Sequence, residues 1–449
     1  MTKRHWGLAS AFGLLAATTA AAAGGPREGV DSVRERLEAK LAAIPYVDTH
    51  THLPDPRPFR ESLKTSKYDV TRLLGGSTYV AEFTSGSTWD EVKANLAANA
   101  QHPYYRVIRE AFVDLYGLAP GAELTDESAR TVSERMDAAH RDPGWYDEVL
   151  RKRMNVTHLI WLGGGRRGSE MPAPYYHPVW NIDGFVFVAG RDEKAKGKPW
   201  TLDTLAKRFG VKLARLSDLE KLIAAEIEGF FAGGGVSLKS TAAYYRTLDF
   251  DDTVPRPRAD RAFAKVVRHE ALAPAEQKAL EDWLMTRVLT SLAKLKKPIQ
   301  FHTGNQQNWN TVANSNPLGL NRLLVTGKWW DVKFVVLHGG YPYTREAITM
   351  TRYFGNCYLD LAWMVLFSPA AATSALAEAI DLLPGNQLTI GTDTANLEEM
   401  YGTVKFTRRV LASVLAEKVA GGYLTEEVAL AVARRVLHDN AMALYGLTD

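Results

Sequence analysis

The residues best suited to chemistry in this chain are histidines and an aspartate that follow short apolar runs. The first run, "YVDTHTHL", places Asp48, His50 and His52 at alternate positions. On a β-strand, side chains two residues apart point to the same side, so two such imidazoles can bind one metal ion. Three later runs also end in a polar residue: "IQFHTG" at His302, "VVLHGG" at His338 and "TIGTD" at Asp393.

Imidazole and carboxylate groups are typical ligands of zinc and similar divalent ions. The chain has one cysteine, Cys357, which excludes a cysteine-based zinc site and an internal disulfide. A catalytic ion keeps one position open for water and makes that water acidic enough to ionise near neutral pH. The water could then attack a carbonyl carbon, while Asp393 takes its proton and delivers it to the leaving group.

The elements that carry these residues are strand-like runs separated by helical patterns. One helical pattern, from Pro274 to Leu295, has a continuous apolar stripe. Strands that alternate with helices pair in parallel, and eight such units predict an α/β fold, the (β/α)8 TIM-type barrel. The carboxyl ends of all eight strands then meet at one face, which would bring the polar strand ends together. The first run is Tyr46–Leu53, and the others begin at Asn155, Gly184, Gly235, Pro298, Val332, Asn356 and Gln387.

About a hundred residues separate the first two runs, whereas a connection in such a fold usually takes ~2–6 residues. Residues 53–153 are therefore predicted to be a helical insertion after strand 1 that caps the barrel mouth. No linker divides the rest, so residues 24–449 are predicted to form a single domain.

The first residues combine Lys3 and Arg4 with an apolar run and small residues up to Ala23. This pattern predicts a signal peptide at residues 1–23 and an exported, periplasmic or secreted protein. No later run reaches the ~18 apolar residues of a membrane span. The formal net charge of +3 falls to +1 when the two basic residues Lys3 and Arg4 are removed. A nearly neutral chain without basic clusters does not favour nucleic acid as a partner.

The set "DTHTH", "FHTG", "LHGG" and "GTD", with the closing "LHDNAMALYG", is similar to the amidohydrolase superfamily, and nearest to its amidohydrolase-2-type branch. The resemblance spans about Tyr46 to Leu447. It implies that a divalent metal, with zinc as the leading candidate, is bound by His50, His52, His302 and Asp393. It also implies that His338 either binds a second ion or helps to position water and substrate.

Lys239, at the end of "VSLKS", has two interpretations. The resemblance implies that a lysine here can carry a carbamate that bridges two ions. Alternatively, Lys239 and Arg246 could anchor an anionic group of the substrate. The number of ions, one or two, stays open at this point.

Three aromatic residues follow strand ends, namely Trp309, Tyr341 and Trp363. They could line a substrate pocket or pack under the cap. His158 and His177 are expected to be structural or substrate-loop residues, and Cys357 is expected to fill the core.

The sequence thus predicts a metal-dependent hydrolase that cleaves a C–N or C–O bond of a small molecule, such as an amide, lactone or ester. The resemblance leaves two alternatives: a non-hydrolytic enzyme of the decarboxylase or uronate-isomerase type, and an inactive barrel that only binds ligands. Substrate identity is not determined by spacing, and a homo-oligomer is as compatible with the sequence as a monomer.

Overall fold

A computed structural model of the chain describes residues 29–76, 86–163, 172–190, 200–306 and 311–448. Within these residues eight parallel strands form one sheet, in which each strand pairs with the next in chain order. The predicted (β/α)8 barrel is confirmed. The strands are β1 (Tyr46–Thr51), β2 (Val156–Trp161), β3 (Tyr176–Asn181), β4 (Ser237–Ser240), β5 (Pro298–Phe301), β6 (Lys333–Val336), β7 (Cys357–Asp360) and β8 (Leu388–Thr389).

The chain after β8 lies against β1 and brings the two ends of the sheet together. The Asp393 amide donates to the His50 carbonyl at 2.7 Å, and the His52 amide donates to the Thr394 carbonyl at 2.9 Å. Gly391 permits this approach, since a Cβ at that position would lie 2.6 Å from the His50 amide nitrogen. The backbone bonds that join the two ends of the sheet therefore also place the first and last polar strand ends side by side.

Helices cover the outside of the sheet, and their buried faces share one apolar core with the strands. Proline at the first helical position begins the helices Pro274–Leu295 and Pro369–Leu382, as is favourable where no amide donor is needed. The helices that flank the later strands are α8 (Asp183–Val186), α9 (Leu202–Phe209), α10 (Leu216–Ala232), α11 (Arg256–Val267), α12 (Pro274–Leu295), α13 (Asn321–Val325), α14 (Thr344–Tyr353), α15 (Met364–Phe367), α16 (Pro369–Leu382), α17 (Leu397–Ala420), α18 (Glu426–Arg434) and α19 (Asn440–Tyr445).

Short turns of other helix types complete this part of the chain. Four of them are 3₁₀ turns and one, between α18 and α19, is a π-helical turn. They are Ala242–Tyr244, Val312–Ser315, Pro317–Leu320, Leu337–Gly340 and Arg435–Asp439.

One predicted strand is wrong. The run from Gly184 forms α8 and a turn, and the third strand is the preceding segment, Tyr176–Asn181. An unbroken apolar run has no periodicity to separate a strand from a buried helical turn, and Phe185 and Phe187 are indeed buried in the core. The true strand contains Pro178, which lacks an amide donor and disfavours a strand prediction.

Helices also make up much of the described part of the long connection between β1 and β2. They build a second apolar cluster, in which Trp363 and Leu366 from the barrel pack against residues such as Ile108 and Phe112. Gly402 of α17 lies so close to the second cluster that an added Cβ would meet the Val107 carbonyl oxygen at 2.0 Å. After α1 (Val30–Ala42) and β1, the helices among the described residues are α2 (Pro56–Ser62), α3 (Val70–Gly76), α4 (Trp89–Ala98), α5 (Pro103–Tyr116), α6 (Asp126–Arg141) and α7 (Trp145–Asp147). The last of these continues as a π-helical turn, Glu148–Arg153.

The last helix, α19, packs at the amino-terminal opening of the barrel. Leu444 and Tyr445 join an apolar cluster with inward residues such as Val47 and Val335. Lys333, the first residue of β6, donates to the Leu444 carbonyl at 3.1 Å. The opposite, carboxyl-terminal opening carries the polar strand ends.

The predicted signal peptide, residues 1–23, lies outside the described residues. In the part of the chain that the structure describes, no helix is both long and apolar enough to cross a membrane.

Candidate metal centre

His50, His52 and Asp393 meet where the end of β1 adjoins the turn after β8. Their closest ligand atoms all lie within 4.8 Å of one another. Nε2 of His50 is 3.5 Å from Oδ1 of Asp393, and Nε2 of His52 is 3.2 Å from the same oxygen. Two ring nitrogens and one carboxylate oxygen thus face a common point.

The carboxylate at this point is buried, and one of its oxygens has no hydrogen-bond partner. Asp393 is 3% exposed, and its Oδ1 accepts no hydrogen bond of acceptable geometry, although His52 is near. Burial by itself raises the pKa of Asp393, but the neighbouring rings of His50, His338 and His52 outweigh burial and hold that pKa below its ordinary value. An ionised, buried oxygen without a partner is costly, and a divalent cation would satisfy it. The donor set therefore fits a metal ion.

His302 and His338 form a second group beside the first. Nδ1 of His338 lies 3.1 Å from the Ala362 carbonyl oxygen, and Nε2 of His302 lies 3.0 Å from the Asn305 carbonyl oxygen. A carbonyl only accepts, so these two nitrogens carry the ring hydrogens of neutral imidazoles. The remaining nitrogens, His338 Nε2 and His302 Nδ1, then face each other with lone pairs at 2.9 Å. Two facing lone pairs repel each other, and a cation held by these nitrogens would relieve that repulsion.

The two groups are in contact through Asp393. Its Oδ2 lies 3.6 Å from Nδ1 of His338. The structure therefore brings His302 into the site next to His338, and not into the three-residue group that includes His50 and His52.

Burial keeps these imidazoles neutral, which is the form that binds a metal. Desolvation lowers the pKa of His338 to about 4 and places the pKa values of His50 and His302 well below the ordinary histidine value. The charge of Lys239 lowers all three further.

Lys239, from β4, is a buried lysine of the site. It is 2% exposed, and its Nζ has no hydrogen-bond partner. Burial lowers the pKa of Lys239 to about 8, while the carboxylates of Asp393, Asp183 and Asp360 oppose that shift. An unpartnered buried amine is available to a carbamate or to an anionic oxygen of a ligand.

Backbone strain is concentrated here. His338, Trp363 and Asp393 follow β6, β7 and β8, and their φ angles are 62°, 71° and 55°. Such left-handed conformations cost bulky residues on the order of 1–3 kcal/mol each, and they cluster at functional sites. No periodicity in the sequence signals them.

The predicted substrate residues have different positions. Arg246 is buried and donates to Glu281 at 3.1 Å and to Asp282 at 2.7 Å on α12. Its guanidinium is thus engaged in an ion-pair network with α12, and its role as a substrate anchor stays a prediction. Trp309 lies outside the described residues.

The other two predicted aromatic residues lie near the site. Trp363 is buried, its ring centroid is 5.5 Å from that of His338, and its indole donates to the Tyr104 hydroxyl of α5. Tyr341 is 38% exposed and its ring is 5.2 Å from that of Phe367.

His158 and His177 form a pair away from this cluster, with ring nitrogens 2.8 Å apart. Cys357 is buried, and burial raises the pKa of its thiol to about 12, which suits a packing residue.

Two residues at the site have no predicted role. Tyr244 packs against His302 in a tilted arrangement with ring centroids 4.3 Å apart, and Gln300 hydrogen-bonds His50. The alternation of β5 places Gln300 on the same face as His302, but nothing in the sequence indicates its contact.

Comparison with known proteins agrees with this arrangement. The sequence profile of a family described as amidohydrolase matches residues 229–447. Protein fluG of Emericella nidulans is 33% identical over 225 residues, which cover 48% of this chain and 26% of that protein. The chain thus matches about a quarter of the length of this relative. The resemblance predicted from the sequence motifs is confirmed.

Solved structures share the fold over most of the chain. Uronate isomerase from Thermotoga maritima has a TM-score of 0.74 at 18% identity and covers 92% of this chain and 97% of its own. Glucuronate isomerase from Caulobacter crescentus has a TM-score of 0.74 at 16% identity, with 94% and 95% covered. A provisionally assigned metal-dependent hydrolase from Lactobacillus casei has a TM-score of 0.63 at 18% identity, with 91% and 97% covered. At these identities the similarity concerns the fold.

Proposed function

We propose that this chain, which belongs to the amidohydrolase superfamily, is a metal-dependent hydrolase that cleaves a C–N or C–O bond of a small amide, lactone or ester. The observation that carries the proposal is the convergence of His50, His52 and Asp393 on one point, with an unpartnered carboxylate oxygen at its centre.

His50, His52 and Asp393 would hold the ion, with zinc as the leading candidate. A divalent ion there supplies a Lewis acid that lets a water molecule ionise near neutral pH. Asp393 is held in its ionised form, so its carboxylate could accept the water proton and pass it to the leaving group. His338 lies beside this carboxylate, with its Nδ1 3.6 Å from Oδ2 of Asp393.

A second ion is also proposed, with His302 and His338 as its ligands. The facing nitrogens of these two rings would accept a cation, and Lys239, whose Nζ has no hydrogen-bond partner, would then carry the carbamate. With a single ion, Lys239 instead anchors an anionic oxygen of the substrate. Elemental analysis of the purified protein separates the two, with two ions or one ion per chain.

The test of the reaction is product analysis in ¹⁸O-labelled water, with a panel of amides, lactones and esters. Hydrolysis incorporates the label into the acid product. A uronate that isomerises without label, in a protein with a stoichiometric ion, would favour the non-hydrolytic alternative. A protein that holds no ion and turns over no substrate would be an inactive binding barrel.

The proposal includes export, because residues 1–23 have the pattern of a signal peptide. Sequencing the amino terminus of the mature protein from its native host tests it: export predicts a start near residue 24.

A further inference from the structure

The hydrogen bonds behind His50 give a role to a residue of β5. We propose that Gln300 is a positioning residue, which fixes His50 in the tautomer that can bind a metal ion through Nε2. This inference rests on the proposed function, because it concerns the same metal centre.

Two hydrogen bonds fix the orientation of the Gln300 amide. The side chain is fully buried, and its Nε2 donates to the Thr49 carbonyl at 2.8 Å and to the Tyr445 hydroxyl at 2.8 Å. A backbone carbonyl only accepts, so the amide nitrogen must lie on this side. The amide oxygen Oε1 is therefore turned toward Nδ1 of His50, 3.0 Å away.

The orientation of Gln300 determines the tautomer of His50. An amide oxygen also only accepts, so Nδ1 of His50 carries the hydrogen of the neutral ring. Its Nε2 then presents a lone pair toward Asp393, whose Oδ1 is 3.5 Å away. Without an acceptor at Nδ1, the hydrogen would favour Nε2, where the Asp393 carboxylate can accept it. That tautomer cannot bind an ion through Nε2.

Gln300 can be replaced by mutation, whereas the backbone carbonyls that orient His302 and His338 cannot. His302 and His338 are oriented by the backbone carbonyls of Asn305 and Ala362. His50 is oriented by a side chain, which Tyr445 of α19 helps to hold. Groups that orient a metal-binding histidine typically contribute about 10–100-fold to metal affinity.

The experiment compares wild type, Gln300→Leu and Gln387→Leu. Gln387 is a matched control: it is buried, and its amide donates to the carbonyls of Thr351, Phe354 and Cys357, away from His50. Zinc affinity is measured by competition with a chromogenic chelator, and the His50 tautomer by ¹⁵N NMR of the metal-free protein. We expect Gln300→Leu to weaken zinc binding about 10–100-fold and to shift the His50 hydrogen to Nε2. Gln387→Leu should leave both unchanged.

Gln300→Glu keeps an acceptor near Nδ1, so it should bind zinc more tightly than Gln300→Leu. If Gln300→Leu does not fold, the zinc affinity of Gln300→Glu and the His50 tautomer of the wild type test the inference instead. Unchanged zinc affinity in a folded Gln300→Leu variant, or a wild-type His50 with its hydrogen on Nε2, would overturn the inference. A wild type that binds no zinc but has the Nδ1–H tautomer would instead contradict the proposed function.

Discussion

Two buried carboxylates with histidine neighbours, Asp393 and Glu398, occur within one short segment, and they differ in their hydrogen bonds. Asp393 faces His50 and His52, yet its Oδ1 accepts no hydrogen bond. Glu398, in the first turn of α17, is also inaccessible to solvent. It accepts from the Tyr68 hydroxyl at 3.1 Å, the Tyr116 hydroxyl at 2.6 Å and Nε2 of His140 at 2.7 Å.

This difference separates a structural cluster from a ligand site. Tyr68, Tyr116 and His140 belong to the helical segment between β1 and β2, so Glu398 joins that segment to the barrel. Its bonds are complete and leave nothing for a ligand to contribute. At Asp393 a buried carboxylate oxygen faces two imidazoles and accepts no hydrogen bond, so a cation would satisfy it. A buried His–carboxylate contact is thus not by itself a metal site.

Removing the ion should have the largest effect and should involve only the Asp393 region. Treatment with 1,10-phenanthroline is expected to abolish turnover, because the ion activates the water. Addition of zinc or cobalt should restore activity, while the far-ultraviolet circular dichroism stays that of the folded protein. Full activity in metal-free protein would contradict the interpretation of the Asp393 region as a functional metal site.

Asp393→Asn should have the next largest effect. The amide cannot take a proton from water, so kcat is expected to fall about 10²–10⁴-fold, while the fold and some of the bound metal are retained. Steady-state kinetics with elemental analysis measure this. Turnover equal to that of wild type would show that Asp393 is not the essential base.

Glu398→Ala, in contrast, should reduce stability without affecting the metal site. It removes the acceptor of two hydroxyls and of His140, so the free energy of unfolding is expected to fall by about 3 kcal/mol. Zinc content should be unchanged. Glu398→Gln, which keeps an acceptor oxygen and the volume, is the matched control and should lose less stability. Loss of zinc in a folded Glu398→Ala variant would mean that the two carboxylates are not independent.

The pH dependence of stability should also distinguish the histidines around Asp393 from Glu398, with a smaller effect. Burial holds the pKa of His338 at about 4 and lowers those of His50 and His302. Unfolded imidazoles titrate near ~6.5. Between about pH 6.5 and 4 the unfolded chain therefore binds protons that the folded chain does not, and stability falls as the pH falls, by up to about 1.4 kcal/mol per pH unit for each ring.

Glu398 acts in a lower pH window. Burial raises its pKa, but His140 and Tyr116 outweigh burial and lower it. Its contribution is present above the pKa of an unfolded glutamate, ~4.3, and is lost as the pH falls further. Urea unfolding of metal-free protein from pH 7 to 4 measures the first window, and His338→Asn should reduce that slope. A flat profile between pH 6.5 and 5 would contradict neutral imidazoles in the site.

Most of the fold could be predicted from the order of the elements. Seven of the eight predicted runs overlap observed strands, because β-type runs alternate with helical stripes such as that of α12. The third failed because Pro178 lies in the true strand, and the apolar run around Phe185 is compatible with strand and buried turn alike.

The sequence by itself determined which residue types end the strands, and a closed parallel sheet is sufficient to bring His50, His52 and Asp393 together. Only the tertiary structure decided that His302 pairs with His338, that Arg246 is committed to α12, and that Gln300 orients His50. Periodicity specifies the face from which a side chain leaves the backbone. Which hydrogen-bond partner the side chain meets depends on its rotation and on neighbours from distant segments, and that is decided only when the core packs.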